Sequence, residues 1–497
     1  MATHSVDLLV IGGGIHGAAV ARDAVGRGLK VMLAEKGDYA SATSSASSKL
    51  IHGGLRYLEH LELKLVRESL VERANLLKTA PHVVEKLRFL MPIYTWQKRP
   101  GLLIHAALAL YDLLSIGDGL PMSGRLSSQD IAKLPHLRAQ NLSSVLHYYD
   151  CEADDARLTL AVLLDARGRG ADILNRRAVT AIAPLDSGYA IELDERGTKR
   201  GIEARFVVNA SGPWVDKVDA LCARPPSRHP LRLVRGSHIV LKMPHPPQTD
   251  AYTLQDEEDR VVFVIPWLGG RFLIVGTTEV PHQGNPGEAQ CSADERIYLL
   301  DAYNRYFRQA VTDADIVYTW SGVRALHDAG NSKPSQISRS PVLATVAQGR
   351  GGMVSLYGGK LTTHRALAES VLDQLRILGA NIGGPWTEGV PLYGGHGSRK
   401  ELLARADRGP QSIASETRRR WALTYGDQIE TLFARITRDP KSTKEIATGI
   451  MRAELDHVVE TEDAMTADDF LLRRTKLWLT VEPGDRDALR AWFDDAG

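Results

Sequence analysis

Residues Val6 to Glu35, VDLLVIGGGIHGAAVARDAVGRGLKVMLAE, constrain this chain more than any other stretch. An apolar run of strand length leads into a glycine turn, about fourteen residues of helical pattern follow, and a second apolar run ends in an acid. That order is a βαβ unit. Gly12, Gly14 and Gly17 take the G-x-G-x-x-G positions, where the first permits a tight turn, the second lets backbone approach a pyrophosphate, and the third lets helix pack on strand. The helix opening at Ile15 presents free N–H groups and the positive end of its dipole to phosphate. Glu35, 18 residues beyond Gly17, stands where a carboxylate accepts hydrogen bonds from ribose hydroxyls and disfavours a 2′-phosphate. NAD and FAD share this ADP half, so the unit does not choose between them.

At 497 residues the chain has room for two or three domains with ordinary cores. Lys+Arg 61 against Asp+Glu 60 gives a net charge of +1, which removes any global electrostatic case for nucleic acid. A basic site must then be local. Cys151, Cys222 and Cys291 are far apart and form no C-x-x-C, which excludes a disulfide framework, a zinc site and a dithiol pair. The first strand begins too near the N-terminus to leave room for a signal peptide. The longest apolar run, Leu102 to Ile116, is too short to span a bilayer and carries His105 and Asp112. It reads as a core helix or one lying in a membrane interface.

Residues 39–49, YASATSSASSK, have the composition of a flexible loop, but LIHGGLRYLEH follows. There Gly53 and Gly54 allow backbone to lie against a flat ligand, while His52, Arg56 and Tyr57 project functional groups nearby. Val66, Leu70, Ala74 and Leu77 then mark a helix. Residues 52–100 hold nine Lys/Arg and five Asp/Glu, an excess of +4 that suits a solvated face, a membrane-facing surface or substrate steering. Strand-like runs come next at Val145–Tyr149, Tyr189–Asp194, Phe206–Ser211, Ser237–Met243, Arg260–Leu268 and Phe272–Glu279. Several alternate as an antiparallel sheet with one wet face does, so an antiparallel substrate-binding sheet is expected. The run FVVNASGPW, Phe206 to Trp214, reads as a buried strand delivering a small-residue turn to the cofactor edge. From about residue 395 a polar, helix-periodic stretch reads as an appended helical domain, for which scaffolding or homodimer formation is the simplest role.

The ordered set VIGGGIHGAAVARDAVGRG, TSSASSKLIHGGLRYLEH, NASGPW, RGSHIV, VFVIPW, GTTE, SGVRAL, YGGKLTTHR and DDFLLRRTKLWL resembles the FAD-dependent, quinone-linked glycerol-3-phosphate dehydrogenases, within the D-amino-acid and glycine oxidase group of flavoproteins. Ser211, Arg235 and His364 stand where that family commonly has Thr, Lys and Tyr, and each keeps hydrogen-bonding capacity. The resemblance implies an α/β (α+β) flavoprotein: a Rossmann-like FAD-binding domain over 1–95, 145–215 and 340–392, a substrate-binding antiparallel-sheet domain over 96–144 and 216–339, and a C-terminal helical domain over 395–497. The FAD contacts it implies are Gly12, Gly14, Ile15, Gly17, Glu35 and Lys36, then Thr43, Ser44, Ser47, Ser48, Lys49, Leu50, His52, Gly53 and Gly54. Later contacts are Val179, Ala210, Gly212, Trp214, Gly359, Lys360, Leu361 and Thr362, with Gly358 and Gly359 preceding a helical pattern over Leu361–Leu375.

The implied reaction moves hydride from C2 of sn-glycerol 3-phosphate to flavin N5, giving dihydroxyacetone phosphate. It requires a stage for the flavin, a base near the C2 hydroxyl and cations for a phosphate dianion. His52 is the leading base, since imidazole titrates near operating pH, and His238 in GSHIV is the alternative. Arg56, Arg324, Arg339 and Lys360 are the phosphate cations, with Tyr57 and Thr362 as neutral donors. His52, Arg56 and Arg324 form the expected catalytic set. The implied acceptor is ubiquinone or menaquinone, reached from a peripheral position on the inner, cytoplasmic face of the membrane. Three other readings stay open on the residues alone: an oxidase using oxygen, a glycine-oxidase-like amine oxidase, and a non-catalytic flavin-binding module at the membrane surface.

Overall fold

The strand His4–Ile11 is buried on both faces, with Leu8, Leu9 and Val10 at 0 % exposure, as a central parallel strand requires. The computed structural model describes residues 4–60, 62–246, 248–256, 260–327 and 340–496. In it, His4–Ile11 runs parallel to Val31–Ala34 on one side and to Thr198–Asn209 on the other. Asp172–Leu174 and Gly351–Tyr357 extend this parallel sheet outward, and Val342–Gln348 adds an antiparallel edge. Ala178–Leu185 and Gly188–Glu195 form an antiparallel flap that joins the sheet through Thr198–Asn209. The helix Ile15–Gly26 packs between Asp155–Gly168 and His364–Ile377, and its small residues Ala18, Ala21 and Ala24 allow that close passage at 0 % exposure.

A second, ten-stranded sheet is mostly antiparallel. The long pair Ile316–His327 and Leu231–Lys242 lies toward one edge, followed inward by Phe272–Gly276, Val261–Trp267 and Ala251–Gln255. The helix Ala293–Tyr306 covers one face, with Tyr303 stacked on Phe307 at 4.3 Å. The helices Leu63–Thr79 and Gly101–Ser115 cover the other.

Two sequence expectations are corrected by the strand pairing. Val84–Tyr94 and Leu142–Ala153 pair along their length within this second sheet, although the first, and the second from Val145 onward, fall in the segments 1–95 and 145–215 assigned to the dinucleotide unit. Their aromatic residues supply the reason, because Phe89 stacks on Tyr148 at 5.1 Å and seals that sheet's core. Tyr189–Asp194, inside the segment 145–215 given to the dinucleotide unit, lies in the antiparallel flap of the first sheet.

The segment from Arg399 onward is a helical unit around its own core, which includes Trp421, Ile429, Leu432, Leu455 and Phe470. It joins the first unit through buried ion pairs: Arg474 donates to both oxygens of Asp38 at 2.5 and 2.8 Å, and Arg157 meets Glu462 at 2.7 Å. Among the described residues no helix is long and apolar enough to cross a membrane.

Candidate active site

The C-terminal ends of four parallel strands converge on one edge of the first sheet, the position at which doubly wound sheets bind ligands. Ile11 leads into Gly12–Gly14, Ala34 into Glu35, Asn209 into Ala210–Trp214, and Tyr357 into Gly358–Thr362. All four turns border one cavity of about 1660 Å³.

The glycines fit a pyrophosphate cradle for concrete reasons. Gly12 has φ +112°, and a Cβ there would stand 2.7 Å from the Ala210 carbonyl oxygen. A Cβ at Gly17 would fall on the carbonyl of Gly12, so the third glycine lets the helix seat against the turn. The helix N-cap, Gly14, brings no side chain, and Ser44 Oγ accepts from Ile15 N at 2.9 Å. Glu35 accepts from Gly13 N and from Gly37 N, both at 2.7 Å, which fixes its carboxylate at the cavity wall with further lone pairs for ribose hydroxyls. Burial pushes the Glu35 carboxyl above its usual range, against the pull of those two N–H groups. Lys36 sits 3.7 Å from the centre of the Trp214 ring, so the two side chains form one wall. Thr43, Ser44, Ser47, Ser48, Lys49, Leu50, Val179, Ala210, Gly212 and Trp214 also border the cavity.

The same cavity continues beneath the second sheet. His52, Gly54, Tyr57, His238, Arg324, Gly359, Lys360, Leu361 and Thr362 line it. Gly53 lies just behind, where a Cβ would collide with Leu70, and its N–H donates to Tyr111 Oη and to Asp150. Arg324 Nη2 donates to Thr277 Oγ1 at 3.3 Å, and Nη1 lies 3.5 Å from Glu279. The Lys360 ammonium stands 3.8 Å over the Tyr57 ring. Thr362 Oγ1 donates to the carbonyl of His52 at 3.5 Å, which joins the two glycine-flanked segments. Arg339 lies outside the described residues, as does the side chain of Arg56.

The two histidines differ in setting. His238 is 2 % exposed, stacks on Trp320 at 5.0 Å and shares a 2.8 Å hydrogen bond with Ser48 Oγ through Nε2. Burial, then the neighbouring Arg324 and Lys49 cations, lower its pKa to about 3, so it is neutral at ordinary pH. His52 is half-buried at the cavity wall.

Sequence reasoning missed several groups. Arg260, Thr277, Arg473 and Lys476 line the cavity, and the buried Asp155 binds Lys49 at 2.9 Å. Thr277 lies in GTTE and Arg473 and Lys476 lie in DDFLLRRTKLWL, but nothing in those motifs says what the side chains touch. Counting the described lining residues, ten are Lys or Arg (36, 49, 99, 177, 217, 260, 324, 360, 473, 476) and four are Asp or Glu (35, 150, 279, 288). A nearly neutral chain thus concentrates positive charge in one chamber, the local basic site that its net charge of +1 concealed.

A glycine cradle at the strand ends, an acid at the second strand and an attached cationic chamber define a dinucleotide-dependent enzyme of the two-sheet flavoprotein class. Comparison with known proteins gives the family. The family described as FAD dependent oxidoreductase matches residues 7–365, and the C-terminal domain of alpha-glycerophosphate oxidase matches residues 385–493. An aerobic glycerol-3-phosphate dehydrogenase of Escherichia coli is 40 % identical over 97 % of this chain and 96 % of its own. A D-erythritol 1-phosphate dehydrogenase of Brucella abortus is 38 % identical over 99 % of this chain and 98 % of its own. The crystal structure of the glycerol-3-phosphate dehydrogenase from Bacillus halodurans complexed with FAD superposes with a TM-score of 0.79 at 27 % identity, covering 99 % of this chain and 90 % of that one. The chain belongs to the FAD-dependent oxidoreductases, in the branch that holds the glycerol-3-phosphate dehydrogenases, and its cofactor is FAD.

Proposed function

We propose that the protein oxidises sn-glycerol 3-phosphate to dihydroxyacetone phosphate and passes the electrons to a membrane quinone. The observation that carries this reading is one cationic cavity bordered both by the glycine turns of the first sheet and by Arg324 and Lys360. The first sheet with its glycine turns is the cofactor unit, and the second sheet is the substrate unit. Bound FAD supplies the two-electron acceptor for the C2 hydride, at N5 of its ring.

The chain's own residues do the rest. Arg324 and Lys360, with Arg56 and Arg339 where the resemblance puts them, hold the substrate phosphate, each well-formed charged hydrogen bond contributing about 1.5–3 kcal/mol. Thr277 and Glu279 fix the Arg324 fork, and Tyr57 holds Lys360. His52 takes the C2 hydroxyl proton. His238, neutral and tied to Ser48, is the competing base.

For the acceptor, the support is the helix Gly101–Ser115. Leu102, Leu113 and, just beyond it, Ile116 are 83, 62 and 66 % exposed, while Leu103, Ile104, Ala107 and Leu110 line the cavity. An apolar solute in the bilayer thus has a continuous apolar path to the chamber. The reading makes the protein peripheral, on the cytoplasmic face.

The Brucella relative favours a second substrate, D-erythritol 1-phosphate, on the same chemistry. The test is anaerobic reduction of the bound flavin by each phosphoester and by glycine, followed by reoxidation with a quinone analogue or with oxygen. Bleaching by glycerol 3-phosphate and faster turnover with quinone are expected. An unbleached flavin ends the substrate assignment, and faster turnover with oxygen makes the protein an oxidase.

A further inference from the structure

Lys476 belongs to the C-terminal helical unit, yet its side chain reaches the cofactor cavity. The Asp155 carboxylate there is fully buried and receives two ammonium groups on one oxygen, Lys49 Nζ at 2.9 Å and Lys476 Nζ at 3.3 Å. Its other oxygen accepts from Ser47 N at 3.1 Å and Ser47 Oγ at 2.7 Å. The nearest further acid, Asp154, is 3.9 Å from Lys476 and caps a helix through Arg157 N. Two buried ammonium groups thus share one buried carboxylate.

That arrangement exceeds what holding the fold requires. A buried charge is retained when it is paired, and one lysine would neutralise Asp155, while the second reaches the more exposed Asp154 only at 3.9 Å. Both lysines also adopt the left-handed backbone at φ +58°, which costs a non-glycine residue about 1–2 kcal/mol. Strain of this kind persists where surrounding contacts over-determine a residue, and it gathers at functional sites. The segment Lys49 closes is the one that lines the chamber: Ser44 meets Ile15 N, Ser48 meets His238, and Trp320 Nε1 donates to the Ser47 carbonyl at 3.2 Å. Lys49 itself stands 5.0 Å from the Trp320 ring.

We propose that Lys476 is a positioning residue for the redox step: through Asp155 it holds Lys49 against the cofactor chamber, and the two ammonium groups fixed at the chamber wall raise the reduction potential of bound FAD. A two-electron reduction leaves negative charge on the flavin at working pH, and fixed cations in a dry site stabilise the reduced form over the oxidised one. The C-terminal unit is then a working part of the flavin site.

The test uses the full-length FAD-bound protein with Lys476→Gln, Lys476→Met and Lys476→Arg. Gln keeps a donor for Asp155 without charge, and Arg keeps the charge. The readouts are the midpoint potential of the flavin by reductive titration without substrate, the split of kcat against KM, and the melting temperature. At a fixed ambient potential the two neutral variants should show an about tenfold lower reduced-to-oxidised ratio, or about 30 mV for a two-electron couple. KM should hold while kcat falls, and Arg should restore the ratio to within about threefold. An unchanged potential with a lowered melting temperature, or failure of both neutral variants to fold while Arg folds, assigns Lys476 to structure alone and overturns the proposal. Because no substrate enters the titration, its failure is separate from failure of the glycerol 3-phosphate reading.

Discussion

At Arg324 the guanidinium is held on one side by Thr277 and Glu279, so its orientation is set before a phosphate arrives. Replacing it with Ala should raise the apparent substrate constant about tenfold or more, at least about 1.4 kcal/mol, in steady-state assays with glycerol 3-phosphate. An unaltered constant removes it from the phosphate site. The histidines separate by pH. Since His238 is neutral down to about pH 3, an acid limb of flavin reduction at about pH 5–8 belongs to another group. We expect such a limb in stopped-flow reduction and its loss in His52→Gln, with substrate affinity little changed; loss in His238→Gln instead would exchange the two roles. The placement of the glycine turn, Glu35 and His52 around one cavity was legible in the sequence because each lies in a short local segment. The bond between Ser48 and His238 was not, because 190 residues separate its partners and no spacing rule reaches that far.

Among the elements, Gly101–Ser115 kept its sequence ambiguity and resolved it by face. Ile104, Leu108 and Tyr111 are buried, whereas Leu102, Leu113 and the flanking Ile116 are exposed. Each leucine side chain taken out of water contributes about 1.5–3 kcal/mol, so a double change to Glu, at Leu102 and Leu113, should weaken sedimentation with lipid vesicles at least about a hundredfold. Flavin reduction by substrate should stay the same. Salt-insensitive binding by the double variant would shift attachment to another surface. The long antiparallel run was expected from alternation, and Leu231–Lys242, Val261–Trp267 and Phe272–Gly276 meet it. Sheet membership was the part that alternation could not give, since it does not name the partner strand that closes the hydrogen bonds of Val84–Tyr94 or of Gly188–Glu195.

For the whole molecule, acid is the revealing stress. Asp38, clasped by Arg474 and Arg473, has its pKa lowered to about 2, its own burial notwithstanding. The unfolded chain binds that proton near the ordinary carboxylate value, so the contribution, about 2 kcal/mol, is complete above about pH 4 and lost as pH falls to about 2. Calorimetry over that range should show the melting temperature falling more steeply for the parent protein than for Asp38→Asn, which is destabilised at neutral pH and has less left to lose. Equal slopes would mean that the clasp contributes nothing. The helical character beyond residue 395 was readable from periodicity; its attachment was not, because Arg474, Lys476 and Glu462 look solvated in sequence until Asp38, Asp155 and Arg157 are found opposite them.

Lys476 follows Asp155 by 321 residues in the chain. At about 5–20 residues per second a ribosome needs roughly 16 to 64 s to travel between them. Throughout that interval the nascent Rossmann half already has its glycine turn but lacks a wall of the chamber, so FAD captured early would exchange freely with the surrounding pool. Retention of the cofactor would then begin only as the last helices emerge.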